Sequence, residues 1–555
     1  MSGIVQREGN RIDATYDNPW GGVASNADDA DIQPSQFVKG DGLVVKNGVL
    51  CAANWGNTTL YNFSKVANQH YWLDDRMQYV ILVKPNNAGW VLCAFDNNGH
   101  AFIYDGTIFF LDQTLLGGSF MSISCIQVIG GVVYIFDWSA GKVYKYIPHD
   151  SYTVASTYVG GKYCMVVTNY LITVNTNMAS DGAERIKENR YNWSAPFAYS
   201  TWDPQDPALP RSAGSNTLTS AQDQISGCFA MGNVGYILRT QGLTQLTPTG
   251  IGISPFDTTD LWASQFGIGC TYPDSLAQYG ALAIWFNNND GYAFFSGAMP
   301  QSITGAAQRA IFADLNAYEG MDSGLTTTRV SGTFANTSEN SQIPELIYIL
   351  GIISYGTGVP GGFQAIVWVL NLAAKAWTRH VFNIADEIFR VTGVRSTVFG
   401  VETARVIGVQ EPRYLTQLSQ ASPRRVAAHM LVSTAVGATV YSFLFSLYYN
   451  ETGTLSLSPA GKFLNIKCRQ EEVVLGAKPT VRGVIIKAAG TGTLKIAVSG
   501  TPFKDVVVIS PTARTYKSHG EVSLENPQLT INATDFDGFI TKVHMNMTYA
   551  EGSQF

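Results

Sequence analysis

The stretch 279–301, YGALAIWFNNNDGYAFFSGAMPQ, constrains the fold of this chain more than any other. Its first part, 281–286, is a continuous apolar run, which is typical of a strand buried on both faces. An Asn-rich turn follows, in which Asp290-Gly291 supplies the positive φ that a tight reversal requires. A second aromatic segment, 292–295, completes the pattern. The stretch therefore predicts a β-hairpin whose first strand is buried.

Similar hairpins recur along the chain. Residues 89–106 follow the same order, with an apolar run that ends at Phe95, an Asn-rich turn and an Ala-Phe pair. A looser copy, 131–147, places Phe136 before its turn, which is 136 − 95 = 41 residues after Phe95. Propeller blades of four short strands recur about every 40–50 residues. Weaker copies lie at 170–175, 234–246, 366–380 and 398–410.

The repeats predict an all-β chain that contains a β-propeller of six or seven blades. Residues 1–66 are expected to form an N-terminal arm and a docking platform, and residues 67–420 the propeller. A polar insertion near 177–225 interrupts the repeat spacing. From residue 421 to 555, short alternating strands indicate a C-terminal β domain. We expect this β-sandwich-like domain to be built from C-terminal together with N-terminal segments.

Composition excludes several classes of protein. Charged residues make up 14% of the chain, whereas about 25% is usual, and this suits a surface that neighbouring molecules cover. The net charge of −6 offers no basic excess for tight nucleic-acid binding. The longest apolar runs, 347–353 and 443–449, are too short to span a bilayer, and residues 1–10 lack the apolar core of a secretory signal. We therefore expect synthesis in the cytoplasm and no membrane span.

The seven cysteines are expected to be structural. None has a second cysteine at the C-x-x-C spacing, so neither a zinc site nor a redox pair is indicated. Several stand inside apolar strands, where a thiol usually behaves as a small buried hydrophobe. They are Cys51, Cys93, Cys125, Cys164, Cys228, Cys270 and Cys468.

The search for catalytic motifs predicts no catalytic residue, no cofactor and no metal site. No two of the seven histidines are four residues apart, and no G-x-S-x-G or phosphate-binding loop is present. Asp96, Asp137 and Asp290 could supply a carboxylate pair for glycoside cleavage, but each follows an apolar run at a turn, where Asp usually bonds its own backbone. Two acidic clusters, 28–31 and 535–538, lack the spacing of a calcium loop.

Four short stretches resemble the tail-nozzle and packaged-DNA-stabilisation proteins of short-tailed bacteriophages. The first has Ile32, Pro34, Phe37, Asn47, Gly48 and Leu50 in order. The second, 189–204, has an Arg-x-x-Trp-Ser stretch followed by a second Trp and Pro. The others are the hairpin 285–297 and the strand–turn–Trp segment 367–377. The resemblance implies a propeller protein that assembles as a six-fold ring.

This resemblance also implies a function and partners. Such a ring is a virion component that attaches below the portal and its adaptor, retains packaged DNA and forms the path for genome ejection. Tail fibres are possible further partners, and double-stranded DNA would pass without sequence-specific binding. The N-terminal arm is a natural contact with the adaptor. The alternative from a different class is a glycan-binding or glycan-cleaving propeller that acts in adsorption.

The sequence allows either a structural role or an interaction role for two features. Trp193 and Trp202 in the predicted insertion either pack against the propeller, with Arg190 stacked on an aromatic ring, or contact a neighbouring subunit or fibre. Basic residues of the C-terminal region form either a solvated face or a surface for an acidic adaptor. These are Lys462, Lys467, Arg469, Lys478, Arg482 and Lys487.

Overall fold

The fold is described from a computed structural model. The residues that it describes are 7–8, 11–17, 20–25, 33, 35–46, 49–62, 77–85, 89, 91–104, 109–115, 122–178, 181, 185–206, 212–218, 223–252, 254–262, 267–316, 330–336, 346–355, 363–383, 400–408, 425–436, 439–449, 464–471, 479–524, 526–533 and 536–548. Nearly all of the regular structure in these ranges is β-strand.

The chain begins with six strands that do not form a sheet of their own. They are β1 (Arg7–Glu8), β2 (Arg11–Asp17), β3 (Gly22–Val23), β4 (Gln36–Asp41), β5 (Leu43–Lys46) and β6 (Val49–Asn62). β5 and β6 pair as an antiparallel hairpin, whereas β3 and β4 pair in parallel. Their remaining partners lie near the other end of the chain.

Five consecutive four-stranded antiparallel sheets follow, and each is complete in itself. Sheet 1 comprises β7 (Met77–Val83), β8 (Val91–Asp96), β9 (His100–Tyr104) and β10 (Phe109–Thr114); sheet 2 comprises β11 (Ile123–Ile129), β12 (Val132–Asp137), β13 (Lys142–Ile147) and β14 (Ser151–Ser156). Sheet 3 comprises β15 (Val159–Val167), β16 (Tyr170–Met178), β17 (Ile186–Trp193) and β18 (Gly214–Thr217); sheet 4 comprises β19 (Ile225–Met231), β20 (Val234–Arg239), β21 (Leu243–Pro248) and β22 (Phe256–Trp262). Sheet 5 comprises β23 (Tyr272–Tyr279), β24 (Leu282–Phe286), β25 (Gly291–Phe295) and β26 (Gln301–Ser302).

A short helical segment and two further antiparallel meanders come next. The helical segment is a 3₁₀ turn (Gly305–Ala307) that runs into helix α1 (Gln308–Asn316). Sheet 6 comprises β27 (Val330–Asn336), β28 (Leu346–Tyr355), β29 (Phe363–Asn371) and β30 (Ala376–Asn383). Sheet 7 comprises β31 (Gly400–Gly408), β32 (Arg425–Val436) and β33 (Thr439–Tyr449), and the N-terminal β6 completes it by pairing with β33.

The chain ends in seven strands that pair with the N-terminal ones. They are β34 (Leu464–Gln470), β35 (Thr480–Val498), β36 (Thr501–Pro502), β37 (Val506–Val508), β38 (Arg514–Ser523), β39 (Gln528–Ala533) and β40 (Asp537–Thr548). β2 and β35 both pair with β40, and β4 pairs with β34. The two chain ends therefore share one network of strands.

The sheets are arranged around an axis with the first strand of each innermost. β7 packs against β11, β11 against β15, β15 against β19, β19 against β23, β23 against β27, β27 against β31, and β31 against β7. This closed order of radial four-stranded meanders is a β-propeller. The prediction of an all-β propeller is confirmed.

The number of blades differs from the prediction in one respect. Five blades are self-contained, whereas six or seven were predicted. Sheets 6 and 7 have the same four-stranded pattern, but hydrogen bonds from β30 to β4 and from β6 to β40 join them to the terminal strands. Because this network is continuous with the propeller, a separate β-sandwich-like domain and the boundaries at residues 66 and 420 stay predictions.

Each contact between neighbouring blades has its own apolar cluster. In β12 the alternation of side chains places Val133 and Ile135 in a cluster with sheet 1, whereas Tyr134 and Phe136 lie in a cluster with sheet 3. All four residues are buried, which explains why the second strand of a blade reads as a continuous apolar run. The largest cluster joins sheets 5 and 6 to α1 and the terminal strands.

The segment 177–225 is in part a piece of the propeller. It contains β17 and β18, which are the third and fourth strands of sheet 3, so it is not wholly a loop inserted between blades. Trp202 follows β17 and is 1% exposed, with its ring 5.9 Å from that of Phe136 in sheet 2. Trp193 is also buried. The packing interpretation of both tryptophans is therefore confirmed.

Replacing Trp202 with alanine tests this packing between blades. We expect Trp202→Ala to lower the free energy of unfolding by about 3–5 kcal/mol, because it empties a large buried volume. Gln205→Ala is a matched control three residues away, since Gln205 is exposed, and should change the value by less than about 0.5 kcal/mol. Urea unfolding measures both. Equal, small losses would contradict the assigned position of Trp202.

Candidate functional site

The three aspartates that could serve as catalytic carboxylates are engaged by their own turns. Asp96 Oδ1 accepts hydrogen bonds from the backbone N–H of Asn98 (2.9 Å) and of His100 (2.8 Å). Its Oδ2 lies 2.6 Å from Nδ1 of His100. The carboxylate is fully buried, so these contacts compensate for its loss of water.

Asp137 repeats this arrangement in sheet 2, whereas Asn287 does so in sheet 5, with Asp290 as the last residue of the same turn. Asp137 Oδ1 accepts hydrogen bonds from the Ser139 hydroxyl (2.7 Å) and the Ala140 N–H (2.9 Å). Asp290 Oδ1 accepts from the N–H of Gly291 (2.8 Å) and from the Thr304 hydroxyl. The interpretation of all three as turn residues is confirmed, and each occupies the turn between the second and third strand of its own blade.

Three arginines, two of them buried and one half-buried, hold the blades and their attachments together, and no prediction from the sequence covered two of them. Arg239 is 2% exposed and contacts Asp223 (2.9 Å) and Asp260 (3.3 Å). Arg190 was predicted to stack on an aromatic ring. Instead it donates to the Thr176 hydroxyl (2.7 Å) and pairs with a carboxylate, that of Asp181. The only sequence signal for Arg239 is a charge that directly ends an apolar strand.

Arg379 connects three parts of the chain that are distant in sequence. From β30 it donates to both oxygens of Asp314 on α1 (2.8 and 2.9 Å) and to Asp41 on β4 (3.2 Å). Asp314 also accepts from the indole N–H of Trp368 (2.8 Å). Burial lowers the pKa of Arg379, but the two carboxylates outweigh that effect and raise it. This network therefore links β30, α1 and β4, and its charged groups bind one another rather than a substrate.

The inner wall of the propeller carries little charge. The first strands of sheets 1 to 6 contain Lys162 and Asp274 as their only charged residues. The Lys162 ammonium lies 4.4 Å from the centre of the Trp138 ring, so an aromatic face takes up part of its charge. In the described ranges, no group of three or more His, Cys, Asp or Glu side chains is placed to hold a metal ion.

Burial makes several of the described thiols poor nucleophiles. Burial raises the pKa of Cys270 to about 12, and it raises the pKa of Cys93, Cys228 and Cys468 as well. Since the thiolate is the reactive form, these four stay inert at neutral pH. Cys125 and Cys164 are half-buried on neighbouring inner strands, and burial raises the pKa of Cys125 too.

Several predicted features lie wholly or partly outside the described residues. The acidic cluster 28–31 falls outside the described residues, as does Asp535 of the second cluster. Of the basic C-terminal set, Arg482 is exposed and 3.9 Å from Glu521, and Lys487 is exposed on the same strand. Such an exposed pair contributes little to stability.

Among described segments, α1 is the longest helix, and none is long and apolar enough to cross a membrane.

Comparisons with known proteins add fold likeness alone. No protein-family profile matches the chain, and no curated protein matches it. An exo-β-1,3-galactanase from Phanerochaete chrysosporium is 12% identical over 78% of this chain and 98% of its own, with a TM-score of 0.25. The N-terminal domain of Nup159 is 9% identical over 71% of this chain and 96% of its own, with a TM-score of 0.34. BamB from Moraxella catarrhalis is 9% identical over 68% of this chain and 84% of its own, with a TM-score of 0.29. At these scores, the fold assignment depends on the strand pairing described above.

Removing a turn carboxylate should cost stability. We expect Asp137→Ala to lower the free energy of unfolding by about 1–3 kcal/mol, because its buried hydrogen-bond donors lose their acceptor. Asp150→Ala is the control in the next turn of the same blade, where the aspartate is exposed, and should have little effect. Thermal unfolding of both variants checks this. If Asp137→Ala unfolded at the same temperature as the wild type, the result would contradict the turn assignment and favour another role for Asp137.

The buried thiol of Cys270 should make stability depend on alkaline pH. An unfolded thiol ionises near pH 9, whereas the native one keeps its proton up to about pH 12. The stabilisation is thus fully present below pH 9 and is lost as pH rises towards 12, by about 1.4 kcal/mol per pH unit for one group. Urea unfolding between pH 8 and 11 measures the slope, and Cys270→Ala should reduce it by that amount. An identical slope in both proteins would contradict the assignment.

Proposed function

We propose that this chain is a structural protein of a short-tailed phage tail and forms a ring-shaped nozzle or tube segment. One observation carries the proposal: the four stretches with phage-protein resemblance all fall on scaffold elements. The first covers β4 to β6, including the strand that completes sheet 7. The second overlaps β17 and includes Trp202, the third covers the turn and second strand of the hairpin β24–β25, and the fourth covers the turn of the hairpin β29–β30. Motifs of a structural family belong at such positions.

The charge distribution supports a conduit for a polyanion. Many basic contacts would hold DNA through counterion release and slow its passage. The net charge of −6 offers no basic excess for this retention. In the proposed ring the conduit runs between copies of the chain. The ring retains packaged DNA before infection and guides it during ejection.

The proposal includes partners and a location. Six copies form the ring, the phage adaptor below the portal receives it through the N-terminal arm, and tail fibres attach around it. The protein is made in the host cytoplasm and resides in the virion tail. It breaks no bonds, in keeping with turn carboxylates that their own blades engage.

The alternative, a glycan-binding or glycan-cleaving propeller, requires a pocket with convergent carboxylates. The three best sequence candidates each occupy the turn of a different blade. The first strands of the seven sheets contain two carboxylates, Asp274 in sheet 5 and Glu402 in sheet 7. We therefore favour the structural role.

Light scattering of the full-length protein after size exclusion, with electron microscopy of the same fractions, tests the proposed function. We expect a ring, alone or when the adaptor–portal complex is added, and no binding to polysaccharide of the host surface. The control for assembly is the full-length chain mixed with the portal alone, which should not bind it because the proposed contact is with the adaptor. A monomer that ignores the adaptor and binds or cleaves polysaccharide would contradict the proposal.

A further inference from the structure

One end of the propeller carries a concentration of exposed apolar side chains. Each sheet is an antiparallel meander, so its first and third turns lie at the same end. At this end of sheets 3, 4 and 5, five large apolar residues project into solvent. They are Phe197 (72% exposed), Ile251 (61%), Met299 (55%), Phe295 (50%) and Tyr279 (38%), and we call them the apolar rim. Grouped exposure of this kind marks interaction surfaces.

Phe197 is held in this position at a cost. Its backbone has φ = 59°, in the left-handed region that bulky residues avoid, and its N–H donates to the Asn169 carbonyl (2.9 Å). The ring is exposed, so packing within the chain does not compensate for the strain. Backbone strain at an exposed aromatic side chain points to a contact made with another molecule.

The border of the rim is acidic. The segments that carry it in sheets 3 to 5, residues 194–206, 249–257 and 295–300, contain no Lys or Arg. They contain Asp203, Asp206 and Asp257, and Asp257 is exposed. A binding partner therefore needs an apolar centre with a basic border.

The chain itself carries such a surface near β37. Val507 and Ile509 are 58% and 76% exposed, whereas Val506 and Val508, which alternate with them, are buried. Val507 is paired with Thr493 of β35, so Lys495 lies on the same face two residues further along. Lys495 is exposed.

Two more exposed cations, Lys504 and Arg514, flank β37 in sequence, against one exposed carboxylate, Asp505. The region that contains β37 is also more basic than the rest of the chain. Residues 461–555 contain 11 Lys and Arg against 8 Asp and Glu, whereas the rest of the chain contains 25 against 34. The two surfaces are complementary in both polarity and charge.

We propose that the apolar rim of one copy binds the β37 segment of a second copy. This inference depends on the proposed ring function and names the surfaces that would build the ring. The two surfaces differ, so the contact is heterologous, and repeating it generates a closed ring when the rotation between copies permits closure. The basic and acidic borders orient each copy on the next.

Two variants test the contact. In Phe197→Asn the apolar anchor is removed while a residue that tolerates positive φ takes its place, so the fold should be at least as stable. Val507→Thr/Ile509→Thr removes the complementary apolar surface and keeps strand-forming residues. Val154→Thr, at a 45% exposed position outside both surfaces, is the control. Sedimentation velocity over a range of concentrations measures assembly, and thermal unfolding checks the fold.

We expect each test variant to weaken self-association at least tenfold at an unchanged melting temperature, while the control assembles normally. Mixing the two test variants should restore one contact and give 1:1 dimers, because each retains the surface that the other lacks. Wild-type-like assembly of both test variants, or a wild-type chain that stays monomeric at every concentration, would overturn the inference.

The outcomes separate this inference from the proposed function. If all variants still form rings, other surfaces build the ring and only the rim contact is wrong. If the wild type associates through these surfaces but forms open chains or dimers in place of rings, the contact stands and the nozzle function fails.

Discussion

The whole structure depends on burying both faces of each four-stranded sheet. A sheet with one apolar face can lie against solvent on the other, but β24 is apolar at every position and β12 is apolar up to Phe136. Each face must then pack against another sheet. Because that sheet also has two apolar faces, it needs a further sheet on its other side. A closed ring satisfies this demand without leaving an apolar face at either end.

Closure also explains why the two ends of the chain lie together. β31 to β33 supply three strands of sheet 7, and the fourth, β6, arrives from the N-terminal region. β6 continues into pairing with β40, and Arg379 ties sheet 6 to β4. Most described polar side chains with several partners maintain this scaffold. Such an arrangement suits a protein that works by holding its shape.

Part of this architecture could be predicted from the sequence and part could not. The hairpins were predictable because turn residues separate the apolar runs that define the strands. One detail was wrong: the turn after β24 is 287–290, and Gly291 begins β25 without the positive φ expected of it. The role of Asp96 followed from the same turn chemistry. The pairing of β6 with β33 was not predictable, since about 390 residues separate the strands and neither shows its partner. The ion pairs of Arg239 were missed for the same reason, because tertiary contacts place its carboxylates.

The most direct measurement is a density map of the full-length protein that separates strands about 4.8 Å apart. The account predicts a closed ring in which the first strand of sheet 7 packs against that of sheet 1. It also predicts β6 as the outermost strand of sheet 7. A ring left open between β31 and β7, or a sheet 7 that lacks the N-terminal strand, would contradict it.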